Sequence, residues 1–132
     1  MDEILHKYDV ELSELLTIDE FNIKDTQLKL PGIKHIWAGR LIRHKKELID
    51  IKEKKVELIT TITKHVQDSE AVRVSKHTAE KAAISSKHVK QINSQIEELC
   101  LIIEFLEKVE KIMSTMSYDI SNIIKIMQLE QT

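Results

Sequence analysis

Apolar residues recur at three- and four-residue intervals along most of the chain, the period of a helix that buries one face. Ile4, Leu5, Tyr8, Leu12, Leu15 and Leu16 predict a first helix over 3–16, with Asp2 placed to cap it. Thr17-Ile18-Asp19 breaks the pattern. Asp19 is a second candidate cap, opening a short helix or an extended piece that runs to Leu30. A residue before proline is disfavoured in helix, whereas proline fits a first helical turn, so Pro31 predicts the start of a long helix over 31–67. In that helix Leu41, His44, Leu48, Ile51, Lys55, Leu58 and Ile62 alternate between heptad positions a and d. His44 and Lys55 interrupt an otherwise apolar seam.

The stripe is lost over 67–80, which predicts a hairpin tip or frayed connection. A second long helix follows over about 80–115. Val89, Ile92, Ile96, Leu99, Ile103 and Leu106 form one seam, and Ile102, Phe105, Val109, Ile112 and Met116 an offset second one. Two seams call for two neighbours. The 31–67 helix satisfies the first; another subunit or the terminal segment satisfies the second. A final helix over 118–130, capped by Ser117 or Asp119, places Ile120, Ile123, Ile124 and Met127 on one face. A helix of about 36 residues spans about 54 Å, far beyond the ~14 Å radius of gyration of a compact chain this size. The expected fold is therefore a single all-α domain over 1–132, a long antiparallel, coiled-coil-like hairpin with short N- and C-terminal helices. It is expected to self-associate through Ile102, Phe105, Val109, Ile112, Met116, Ile120, Ile123 and Ile124.

Composition sharpens this picture. Two glycines and one proline leave few turn signals, which argues against sheets. Charge is segregated: residues 1–30 carry a net −5, residues 31–95 a net +7 and residues 96–132 a net −4. Within 31–67, nine Lys/Arg face four acidic residues. A nearly neutral total thus hides a basic middle suited to an anionic partner. Cys100, the single cysteine, sits in the apolar run Leu99-Cys100-Leu101-Ile102-Ile103, which predicts a buried, inert thiol in a reducing compartment. The N-terminus is acidic, unlike a signal peptide, and no apolar run approaches the ~20 residues that span a bilayer. A soluble, intracellular protein without membrane contact is expected.

Catalytic chemistry is not evident. Gly32 and Gly39 lack the Lys-Ser/Thr context of a phosphate loop. His6, His35, His44, His65, His77 and His88 show no zinc spacing. Glu3-Ile4-Leu5-His6 is a lone Glu-x-x-His, where a di-metal bundle needs two such pairs. No catalytic residue, metal or cofactor is expected, and the chain does not read as an enzyme.

Three features together resemble the UvsY recombination mediators of T-even-type bacteriophages. One is Leu16-Thr17-Ile18-Asp19 followed by Leu30-Pro31-Gly32-Ile33-Lys34-His35-Ile36-Trp37. Another is the Lys-rich amphipathic stretch Lys45-Lys46-Glu47-Leu48, Ile51 and Lys54-Lys55-Val56-Glu57-Leu58. The third is the ending Met116-Ser117-Tyr118-Asp119-Ile120-Ser121-Asn122-Ile123-Ile124, with Gln128 close behind. The resemblance covers nearly the whole chain. It implies an all-α protomer in a hexameric or heptameric ring, in the cytoplasm of an infected bacterial host. It further implies binding to single-stranded DNA, and contacts with a RecA-like recombinase and a single-strand-binding protein that the recombinase replaces on the strand. The chain departs from the family at Leu58-Ile59-Thr60-Thr61, where the family's Leu-Lys-x-Arg run contacts DNA, and the glycine turn that follows is missing too. Those contacts do not carry over.

Other cations must then meet DNA. Arg40, Arg43, Lys45, Lys46, Lys52 and Lys54 line the long basic helix, and Lys64 and Arg73 flank the tip. With Leu41 as a, Lys45 and Lys52 share position e while Arg40 and Lys54 share g. Such residues track phosphates and release counterions. The competing reading pairs Lys45, Lys46, Lys52 and Lys54 with Glu47, Asp50, Glu53 and Glu57 along the helix, a slight stabilisation. Trp37 falls on the apolar side, as core and not a stacking platform, and Phe105 and Tyr118 read as core or interface. The alternative function is a coiled-coil scaffold whose basic middle binds an acidic protein.

Overall fold

The structure, a computed structural model, describes residues 2–69 and 74–131. All regular elements among the described residues are helices: α1 (Asp2–Leu16), α2 (Ile23–Ser69), α3 (Lys76–Ile84) and α4 (Lys87–Glu130). The all-α expectation holds, and α2 and α4 form a long packed pair. The chain divides into two compact units, one of residues 1–43 with 102–132 and the other of residues 44–101.

The boundaries differ from expectation at three places. First, α2 begins at Ile23, so Pro31 lies inside the helix and does not open it. A local cap accounts for the start. Asp19 Oδ1 accepts the N–H groups of Phe21 and Asn22, and Asn22 Oδ1 accepts the Asp19 N–H at 2.9 Å. This reciprocal pair satisfies donors that a helix start leaves orphaned. An internal proline costs about 3 kcal/mol. Ile23, Leu30 and Trp37, seven residues apart, are all buried. Each buried aliphatic returns about 1.5–3 kcal/mol, so the heptad outweighs the proline.

Second, the expected 80–115 helix is interrupted at Ser85 and Ser86, and the helix N-terminal to that break is the separate α3. Ser86 Oγ accepts the Val89 N–H at 3.3 Å, capping α4. Ser75 caps α3 in the same way through the Thr78 N–H. Residues 67–69 and 76–80 of the stretch assigned to a hairpin tip or frayed connection are thus helix. Third, α4 runs unbroken through Tyr118 to Glu130, so neither Ser117 nor Asp119 starts a terminal helix.

In the first unit, α1 and the N-terminal part of α2 pack with the C-terminal part of α4. Leu12, Ile23, Leu30, Trp37 and Leu41 are buried there, with Ile102, Ile103, Leu106, Val109, Met113, Met116 and Ile120. Lys34 Nζ donates to Ser117 Oγ at 3.5 Å, which sets early α2 against late α4 and makes the pair antiparallel. In the second unit, Lys52–Ile59 of α2 lie opposite Asn93–Glu97 of α4, again antiparallel. Ala79 and Ala83, one turn apart on α3, are fully buried. Leu48, Ile51, Leu58 and Ile62 are only half-buried here, while His44 and Thr63 are buried. This unit therefore has the thinner and more polar core.

Candidate nucleic-acid interface

The buried seam of α2 fixes where its cations point. In the second unit, residues at a and d turn inward, and Lys55 is half-buried among them. His44 Nδ1 lies 3.3 Å from Glu47 Oε2. At about 100° per residue, the e line of Lys45 and Lys52 and the g position of Lys54 fall on opposite flanks of that seam, with Lys46 facing outward between them. Lys45, Lys46, Lys52, Lys54 and Lys64 are all exposed. Lys46, Lys52, Lys54 and Lys64 make no ion pair among the described residues, so the intrahelical pairing that the competing reading gives Lys46, Lys52 and Lys54 is not formed. The cations of this unit thus cover one broad face and do not form a single stripe.

The first unit holds Arg40 and Arg43. Arg43 is exposed. Arg40 is engaged inside the chain: its Nη1 donates to Glu11 Oε2 of α1, and its guanidinium lies 4.8 Å from the Tyr8 ring centroid and 4.6 Å from that of Trp37. Tyr8 and Trp37 meet edge to face at 5.7 Å. Arg40 is thus a clip between α1 and α2, and Trp37 is core, 4% exposed. Arg73 lies outside the described residues.

Half of the expected self-association positions are already covered. Ile102, Val109, Met116 and Ile120 are buried within the first unit of the chain itself, because α1 and the N-terminal extension of α2 pack in this unit. Phe105, Ile112, Ile123 and Ile124 are half-buried. Tyr118 is exposed. Cys100 is exposed and not buried, since it stands one residue, about 100°, past the inward-facing Leu99. No group of three or more metal-ligating side chains occurs among the described residues. No helix among them is long and apolar enough to cross a membrane.

Two features escaped the sequence reading. Ile42, Ile49 and Val56 recur at sevens on α2 and are 67%, 58% and 65% exposed. Their heptad spacing is legible in the sequence, but their exposure is not. The Arg40 cluster joins residues 29 apart in sequence and left no local signal. Comparison with known proteins gives no match to a family model, a curated protein or a solved structure.

Proposed function

We propose that this protein is a single-stranded-DNA-binding recombination mediator, acting as a homo-oligomer that helps a RecA-like recombinase replace single-strand-binding protein on DNA. The observation that carries this reading is the set of exposed cations Lys46, Lys52, Lys54 and Lys64 on α2, which make no ion pair among the described residues. The three-part resemblance to phage mediators supplies the biological setting. The second unit contains no Phe, Tyr or Trp, so the binding mode is contact with the phosphate backbone and not base stacking. Multiple copies would add avidity along one strand.

The test is fluorescence anisotropy with a labelled single-stranded oligonucleotide, against duplex of equal length, over a salt series. Salt-sensitive binding that prefers the single strand is expected. Each phosphate contact on a single strand contributes about −0.7 to the slope of log K against log salt, so Lys46→Gln/Lys54→Gln/Lys64→Gln should flatten the slope by about 2. Absence of binding at low salt refutes the reading.

A further inference from the structure

We propose that the groove between α2 and α4 in the second unit docks an acidic amphipathic helix of a partner protein. Ile49 and Val56 stand one heptad apart on α2 with more than half of their surface exposed. Lys45 and Lys52 run beside them, also one heptad apart, displaced by about 40° around the helix. At Val56 this line meets an open groove of about 540 Å³. Val56 and Ile59 of α2 and Ile96 of α4 give it an apolar lining, with Lys52 and Lys55 on the α2 side and Glu97 on the α4 side.

The residue types select the occupant. Aliphatic side chains at heptad spacing beside a helix–helix groove match the i, i+3/i+4, i+7 anchors of a docking helix. Bases are a poor match, because they bind mainly by stacking on large aromatic rings and this unit has no Phe, Tyr or Trp. Around the apolar line, Lys46 and Glu53 offset each other on the outer flank. On the inner flank Lys52 and Lys55 outnumber Glu97. A helix carrying carboxylates on that flank gains, and a basic one is repelled. This inference does not rest on DNA binding, since exchanging Ile49 and Val56 leaves every cation in place.

The probe is a labelled synthetic helical peptide of about 20 residues, with leucines at a and d and glutamates at e and g; the control carries lysines in place of the glutamates. Against the full chain, the glutamate peptide should bind at least about tenfold tighter than the lysine peptide. Ile49→Ser/Val56→Ser should weaken it about tenfold or more, with helicity and oligonucleotide affinity unchanged. Lys52→Glu/Lys55→Glu should shift the preference toward the lysine peptide. Equal binding of the two peptides, or indifference to the Ile49→Ser/Val56→Ser exchange, overturns the proposal. A fall in sedimentation mass on that exchange would make a second copy of this chain the occupant, and a fall in oligonucleotide affinity would make it the DNA strand; either result overturns the proposal as well.

Discussion

Arg40→Met separates a structural arginine from a phosphate-binding one. The substitution keeps most of the aliphatic stem and removes the guanidinium. Lost with it are the charge-assisted bond to Glu11 and the faces of Tyr8 and Trp37, at 4.8 and 4.6 Å. The side chains of Arg40 and Glu11 are 17% and 35% exposed, so water screens the pair, and about 1 kcal/mol is a fair value. A cation over an aromatic face in a partly exposed setting adds about 0.5–1 kcal/mol. Both faces share one guanidinium, so the terms do not simply add, and a total near 2 kcal/mol is expected. Trp37 is the only tryptophan, and its emission therefore reports directly on this contact. Denaturant unfolding followed by that emission should show the loss, with a red shift under native conditions as α1 loosens. Arg40→Lys should fall closer to Arg40→Met than to the wild type, because an ammonium cannot hold the planar fork and both ring faces together. A double-mutant cycle with Glu11→Gln should return about 1 kcal/mol of coupling. Unchanged stability and emission in Arg40→Met, combined with lost oligonucleotide binding, would refute the clip and return Arg40 to the DNA.

Other substitutions probe separate points. Thr63 is 6% exposed and its Oγ1 has no hydrogen-bond partner among the described residues, so Thr63→Val, nearly the same size, should raise stability by about 1 kcal/mol, or roughly 4 °C in Tm by calorimetry; a lower Tm would show that the hydroxyl is satisfied. Pro31 is exposed inside α2, and Pro31→Ala should stabilise by up to about 3 kcal/mol in the same assay, whereas a neutral result would mean the helix already accommodates the ring. Cys100 should react with a thiol reagent in native buffer at a rate close to that in denaturant, and a strongly protected thiol would contradict its exposure.

The parts of the fold legible in sequence were those written in periodicity. Positions Leu41 to Ile62 turn inward as their heptad requires, and the antiparallel pairing follows from two long amphipathic segments. Punctuation misled. Pro31 is a strong local stop signal, yet tertiary burial of Ile23 and Leu30 carried the helix across it. Ser85-Ser86 is a weaker signal by composition, and there the chain does break, because Ser86 can cap α4. On the candidate interface, the exposure of Lys46, Lys52 and Lys54 followed from heptad position. The withdrawal of Arg40 did not, since its partners Glu11 and Tyr8 stand on another helix.

The Ser85–Ser86 break has a consequence for how this protein opens. It leaves α3 only nine residues long, below the roughly 12–15 at which an isolated helix is even marginal in water. Its hydrogen bonds therefore persist only while Ala79 and Ala83 stay seated, and both side chains are fully buried. Small residues allow the close backbone approach, and they supply little grip of their own. Docked and helical, or released and unwound, are then the two conditions open to α3. Docking and helicity of α3 are thus coupled, and amide exchange along Lys76–Ile84 is expected to show the whole segment losing protection together.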